Sequence, residues 1–146
     1  MVTISSADYV THRQWLEDVV GGSGLVLCYM SALECLNLFS GYLDETRIDV
    51  YAKEKGMYEN INYRIKKSFA DLDVVAVGSL LCTSVNQTIN DMLRDFDHVD
   101  EQSLLEALSD YYFEHNDSFD GLAIRPENME LFNRVKKWAL EYHSVS

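Results

Sequence analysis

The sequence predicts an α+β fold: a small antiparallel sheet of about four strands in two hairpins, packed with about five helices. Three observations predict it. Residues 47–53 and 61–66 alternate between apolar and polar, which is the period of a strand covered on one face. Gly78-Ser79 divides two short apolar runs, as a two-residue hairpin turn does. Beyond residue 84, apolar residues recur at helical spacing in three successive segments.

In chain order, residues 5–20 can form a first helix with Ser6 as N-cap and Tyr9, Trp15, Leu16 and Val19 on its apolar side, ended by Gly21-Gly22-Ser23-Gly24. A helix is next expected to open at Ser31, with Glu34 closing a reciprocal capping box, Leu33, Leu36 and Phe39 facing inward, and Gly41 ending it. In the first strand Ile48, Val50 and Ala52 share one face, with Arg47, Asp49, Tyr51 and Lys53 on the other. In the second, Ile61, Tyr63 and Ile65 point inward and Asn62, Arg64 and Lys66 outward. With a hairpin loop around Gly56, the basic side chains would share the solvent face as a cationic stripe. Residues 73–77 and 80–82 form the second hairpin, and their more uniform apolarity marks them as central strands.

Ser84 to Gln87 is a second capping-box match, heading a helix that buries Val85, Ile89, Met92, Leu93 and Phe96. Asp100 caps the next, where Val99 can staple against Leu104 and where Leu104, Leu105, Leu108, Tyr111 and Tyr112 make one face. The last begins near Pro126, suited to a first turn, and turns Leu131, Phe132, Val135, Trp138, Ala139 and Tyr142 to the core.

A chain of 146 residues fits one domain over residues 1–146, and can bury about two thirds of the surface its unfolded form exposes. Its 47% hydrophobic content and single proline are those of an ordered protein. Cys28, Cys35 and Cys82 lie in apolar runs without C-x-x-C spacing and read as reduced core residues. No basic leader precedes an apolar run and no apolar stretch is long enough to span a bilayer, so the expectation is a cytoplasmic protein with no membrane partner.

The formal net charge of −12 is unevenly placed. Residues 47–67 hold six bases (Arg47, Lys53, Lys55, Arg64, Lys66, Lys67) against three acids, a balance of +3. Residues 91–130 hold twelve acids and two bases, a balance of −10. Nucleic-acid affinity rests on neutralised phosphates, so the whole chain is a poor non-specific binder, and any such contact belongs to the 47–67 face. A solvated charged surface is the plainer reading of both segments.

Reaction chemistry is sparse. Gly78-Ser79 is not followed by the spaced carboxylates of a nucleotidyltransferase, and Gly21-Gly22-Ser23-Gly24 lacks the lysine of a phosphate-binding loop. A metal-dependent nuclease would need Asp44, Glu45 or Asp49 with Lys53, but the second strand offers Arg64 and Lys66 without an acid. His12, His98, His115 and His143 have no partner at helical metal-ligand spacing. No catalytic residue, metal or cofactor is therefore expected.

Within residues 24–93 the order of motifs is Ser31-Ala32-Leu33 opening a helix, Tyr63-Arg64-Ile65 in a strand, and Thr83-Ser84-Val85-Asn86-Gln87-Thr88-Ile89-Asn90-Asp91 opening another helix. This order resembles the C-terminal domain of the AbiEi-type antitoxins of bacterial abortive-infection toxin–antitoxin systems. The residues before Leu25 are too few for the winged helix-turn-helix that such antitoxins carry at the N-terminus. The resemblance implies a non-enzymatic antitoxin whose partner system contains a nucleotidyltransferase-like toxin. Ser31, Tyr63, Ser84, Gln87, Thr88 and Asp91 carry the family pattern and read as structural residues, which leaves Arg47, Lys53, Lys55, Arg64, Lys66 and Lys67 as the candidate binding face. An acidic interaction protein or DNA mimic, acting through residues 91–130, is the alternative.

Overall fold

The computed structural model describes residues 17–18, 20–39 and 48–145, with side chains described as far as residue 141. The expected cap at Ser6, the apolar positions Tyr9, Trp15, Leu16 and Val19, and Arg47, Gly41, Asp44 and Glu45 lie outside the described residues. So do the side chains of Tyr142 and His143. Glu17, Asp18 and Val20 are helical, ahead of a turn at Gly21.

One five-stranded sheet organises the chain. Its strands are β1 (Val26–Leu27), β2 (Ile48–Ala52), β3 (Ile61–Ile65), β4 (Val74–Val77) and β5 (Leu80–Thr83), in the spatial order β3-β2-β1-β5-β4. The helices are α1 (Tyr29–Cys35), α2 (Val85–Arg94), α3 (Glu101–Glu114) and α4 (Met129–Val145). The α+β class holds, but the sheet is mixed rather than antiparallel. β1 pairs antiparallel with β2 and parallel with β5, and β4–β5 is the expected hairpin, with Gly78 at φ +62° in its turn.

The other expected hairpin is a parallel pair: Ile48 lies opposite Ile61, Val50 opposite Tyr63 and Ala52 opposite Ile65. Alternation is blind to strand direction, since an in-register parallel pair keeps the same side chains on the same face. The return is short for a parallel connection. It suffices because a five-residue strand rises only about 17 Å, whereas residues 53–60 can reach about 27 Å when extended. Gly56 lies so close to the Tyr63 phenol that a Cβ would collide with it.

The two sheet faces differ. Leu27, Ile48, Val50, Ala52, Ile61, Leu80 and Cys82 form one buried cluster with Val20, Ala32 and Cys35. Val26, Cys28 and Tyr51 lie on the other face, against the buried side chains of α2, α3 and α4. α1 contributes to both clusters, through Ala32 and Cys35 on one side and Tyr29 and Leu33 on the other.

Several expected burials change. β2 is buried on both faces, including Asp49 and Tyr51, so it is not a strand covered on one side. Central position goes to β2, β1 and β5, while β4 is an edge. Ile65, on the other edge strand, is 54% exposed, and Trp138 on α4 is 39% exposed, although both were expected inside.

Candidate functional site: a tyrosine, aspartate and arginine network on the polar sheet face

Because strand side chains alternate, Asp49 and Tyr51 of β2 project from the same face as Asn62 and Arg64 of β3. α1 and α2 supply the rest. The turn from β1 into α1 has a single residue, Cys28, and places Tyr29 at φ +51°, a conformation that a bulky residue seldom adopts. That turn sets the Tyr29 ring beneath the Arg64 guanidinium, whose carbon lies 3.9 Å from the ring centroid. The Tyr29 and Tyr51 rings are 6.1 Å apart and tilted.

The phenol groups reach acids on and just after α2. Tyr51 donates to Asp91 Oδ2 at 2.9 Å, and Tyr29 donates to Asp95 Oδ2 in a short hydrogen bond. Arg94 stands between the two acids. It forms a 2.9 Å ion pair with Asp95 and a 3.4 Å one with Asp91, and it also donates to the Tyr29 oxygen at 2.9 Å. Gln87 Nε2 donates to Asp91 Oδ1 at 3.0 Å. Burial raises the Asp91 carboxyl above the ordinary aspartate value, against the lowering effect of Tyr51, Gln87 and Arg94. The hydrogen bond from Arg94 lowers the more exposed Asp95. Burial raises both phenols, Tyr29 and Tyr51, and it raises the Cys28 thiol beneath them well above its ordinary value. Cys28 is therefore held as a neutral thiol, the form of low nucleophilicity.

The expected basic face is only partly a surface. Arg64 is half-buried, with Asp49 4.0 Å from its Nη2. Lys66 lies over the Tyr51 ring and pairs with Asp71 at 3.3 Å, while Lys53 lies over Phe69. Lys55 and Lys67 are exposed. These bases mingle with Asp49, Asp71, Asp91 and Asp95, so no cationic stripe forms at Arg64 and Lys66.

Ser31 does not cap α1, which begins two residues earlier at Tyr29. Its hydroxyl instead accepts from the Asp49 amide at 2.9 Å, tying α1 to β2. Ser84 caps α2 as expected, accepting from the Gln87 amide at 3.1 Å. The box is not reciprocal, because the Ser84 N–H already donates to the Asp73 carbonyl. The Gln87 side chain is thereby released to accept from the Asp73 amide and to donate to Asp91. Thr88 shares a 2.6 Å hydrogen bond with Thr83 and donates to the Ser84 carbonyl, locking α2 onto β5. Asp91 reaches β2, not the β4–β5 hairpin. Tyr63 lies on the opposite, apolar face, under Gly56.

Tyr29, Tyr51, Arg94 and Asp95 were not singled out from the sequence. A usable signal was present: Tyr51 occupies a polar-phase position of an alternating strand, and Asp91, Arg94 and Asp95 recur at one-turn spacing along and just beyond an amphipathic helix. The register sets Asp49 opposite Asn62, an amide, where a two-carboxylate metal site would have an acid. Among the described residues, no group of three or more histidine, cysteine, aspartate or glutamate side chains is placed to hold a metal ion. Among them, too, no helix is long and apolar enough to cross a membrane. Compared with known proteins, the chain matches no family model and no curated sequence.

Proposed function

We propose that this chain is a non-enzymatic, antitoxin-like binding domain of a bacterial abortive-infection system, opposing a nucleotidyltransferase-like toxin. The observation that carries the reading is the inward orientation of the polar-face network. A general base or metal ligand must direct lone pairs at a substrate, whereas Asp91 and Asp95 direct theirs at Tyr51, Gln87, Arg94 and Tyr29. Such a network fixes α2 against β2 and makes a rigid surface suited to contact. Of the residues that resemble the antitoxin pattern, Asp91 and Gln87 build that junction, while Ser84 caps α2 and Thr88 ties it to β5. Co-expression with a nucleotidyltransferase-type toxin of such a system tests the reading. Growth is expected to recover; continued arrest with the protein present in soluble form would remove the antitoxin role.

A second reading has its own observation. Asp97, Glu101, Glu114, Asp117, Asp120, Glu127 and Glu130 are all exposed. They leave acidic side chains exposed from just before α3 to the first turn of α4 even after Asp91 and Asp95 are paired. Such a surface fits a basic groove on a nucleic-acid-processing partner, with binding that weakens as salt rises. Capture that does not change between low and high salt would exclude this mimicry.

A further inference from the structure

We infer that the cleft between α1, β3 and the start of α3 is a binding site for a small zwitterion, an α-amino acid with an apolar side chain. The inference is independent of the antitoxin-like reading. The cleft has a volume of about 160 Å³ and opens beside Arg64. A cavity of about 150 Å³ accommodates benzene, so this one suits a ligand of similar or slightly larger size.

Arg64 is the anchor. Its guanidinium is stacked on Tyr29, Asp49 Oδ1 lies 4.0 Å from Nη2, the Cys28 thiol takes one hydrogen bond from it, and its buried Nε has no hydrogen-bond partner. An arginine fork held flat on a ring, with N–H donors to spare beyond those that face Asp49 and Cys28, is pre-organised for a carboxylate. Simple anions fit poorly, because Asp49 and Asp100 also line the cleft and would repel them. An ammonium on the same ligand converts that repulsion into attraction, since a carboxylate can accept more than one hydrogen bond. Met30 and Val99 offer apolar contact to the remaining side chain, with fully buried Met92 behind them and Asn62 and His98 as further polar walls. Methionine adapts to irregular shapes, which suits a family of aliphatic side chains more than a single one.

The test is isothermal titration calorimetry on the full chain with L-leucine, L-methionine and L-valine, alongside N-acetyl-leucine and leucinamide. Saturable binding of at least one free amino acid is expected. Blocking either charged end should weaken it about tenfold or more, as loss of a charge-assisted hydrogen bond does. Arg64→Lys, which keeps the charge and loses the fork, should weaken binding similarly. Val99→Trp should fill the cleft and abolish it; this second variant keeps the test decisive if Arg64→Lys does not fold. No binding by any free amino acid overturns the inference. So does equal binding of the N-acetyl form, which would indicate a plain carboxylate site, or binding unchanged in both variants. Failure of toxin neutralisation in co-expression leaves the calorimetric result untouched, so the two readings fail separately.

Discussion

Both faces of the sheet are packed on apolar clusters, but only one of them adds a polar network. On one, Leu27, Val50, Leu80 and Cys82 are buried among aliphatic neighbours, and the stabilisation is removal of apolar surface from water. On the other, Tyr51, Asp91 and Arg94 are joined by directional bonds that must all be made together, because a buried polar group left without a partner is costly. The apolar face tolerates changes of shape that conserve volume, and the polar face tolerates changes that conserve donors and acceptors. A fold needs the first, and the second gives α2 a single seating on β2.

Substitutions on the two faces should break this contrast in a graded way. Leu80→Ala, at a fully buried position, should cost about 3 kcal/mol in urea unfolding, the range for a truncated core leucine. A cost below about 1 kcal/mol would mean that the apolar face is loosely packed. Asp91→Ala removes one acceptor shared by Tyr51, Gln87 and Arg94, and should cost about 2 kcal/mol. Asp91→Asn keeps an acceptor and should cost less. If the two substitutions were equal, charge rather than hydrogen bonding would hold the network. Ser84→Ala removes the cap on α2 and should cost about 1 kcal/mol.

Acidity separates the two carboxylates by sign. Asp95 has a lowered folded value, so its contribution is present above the ordinary 3.8 and is lost as pH falls through the folded value. Asp91 has a raised folded value, so its contribution is full below 3.8 and is lost as pH rises through the folded value. Measured against wild type by urea unfolding across that window, Asp95→Asn should therefore destabilise more as pH rises, and Asp91→Asn less. Parallel slopes would contradict the assignment of burial to one acid and pairing to the other. The smallest effect is expected at the rim of the polar face: Lys66→Met should change stability by about 0.5 kcal/mol or less, because its partner Asp71 is largely exposed.

Much of the fold is legible locally. The Ser84 and Asp100 caps, the Gly78-Ser79 turn and the apolar faces of α2 and α3 are each decided within one turn of chain, and the structure has them where the spacing places them. The failures are non-local. Strand direction for β2 and β3 depends on where residues 53–60 go, and the sheet order depends on β1, a two-residue strand too short to leave a periodic signal. Ser31 fits a capping box by spacing, yet Cys28 and Tyr29 start the helix earlier because the chain leaves β1 abruptly. The network was least legible, since Tyr29, Tyr51 and Arg94 gain their roles only when three distant segments meet. Outward-facing Lys66 was readable as basic, but Asp71, which pairs with it, was not readable as its partner.

The account rests on mutual satisfaction across the α2–β2 junction, and a double-mutant cycle of Tyr51→Phe and Asp91→Ala tests it most directly. Each single variant and the double variant would be unfolded in urea at neutral pH. The account predicts a coupling of about 1 kcal/mol, with the double variant little worse than Asp91→Ala alone. Strict additivity of the two losses would contradict it, and would mean that the phenol and the carboxylate stabilise the fold independently.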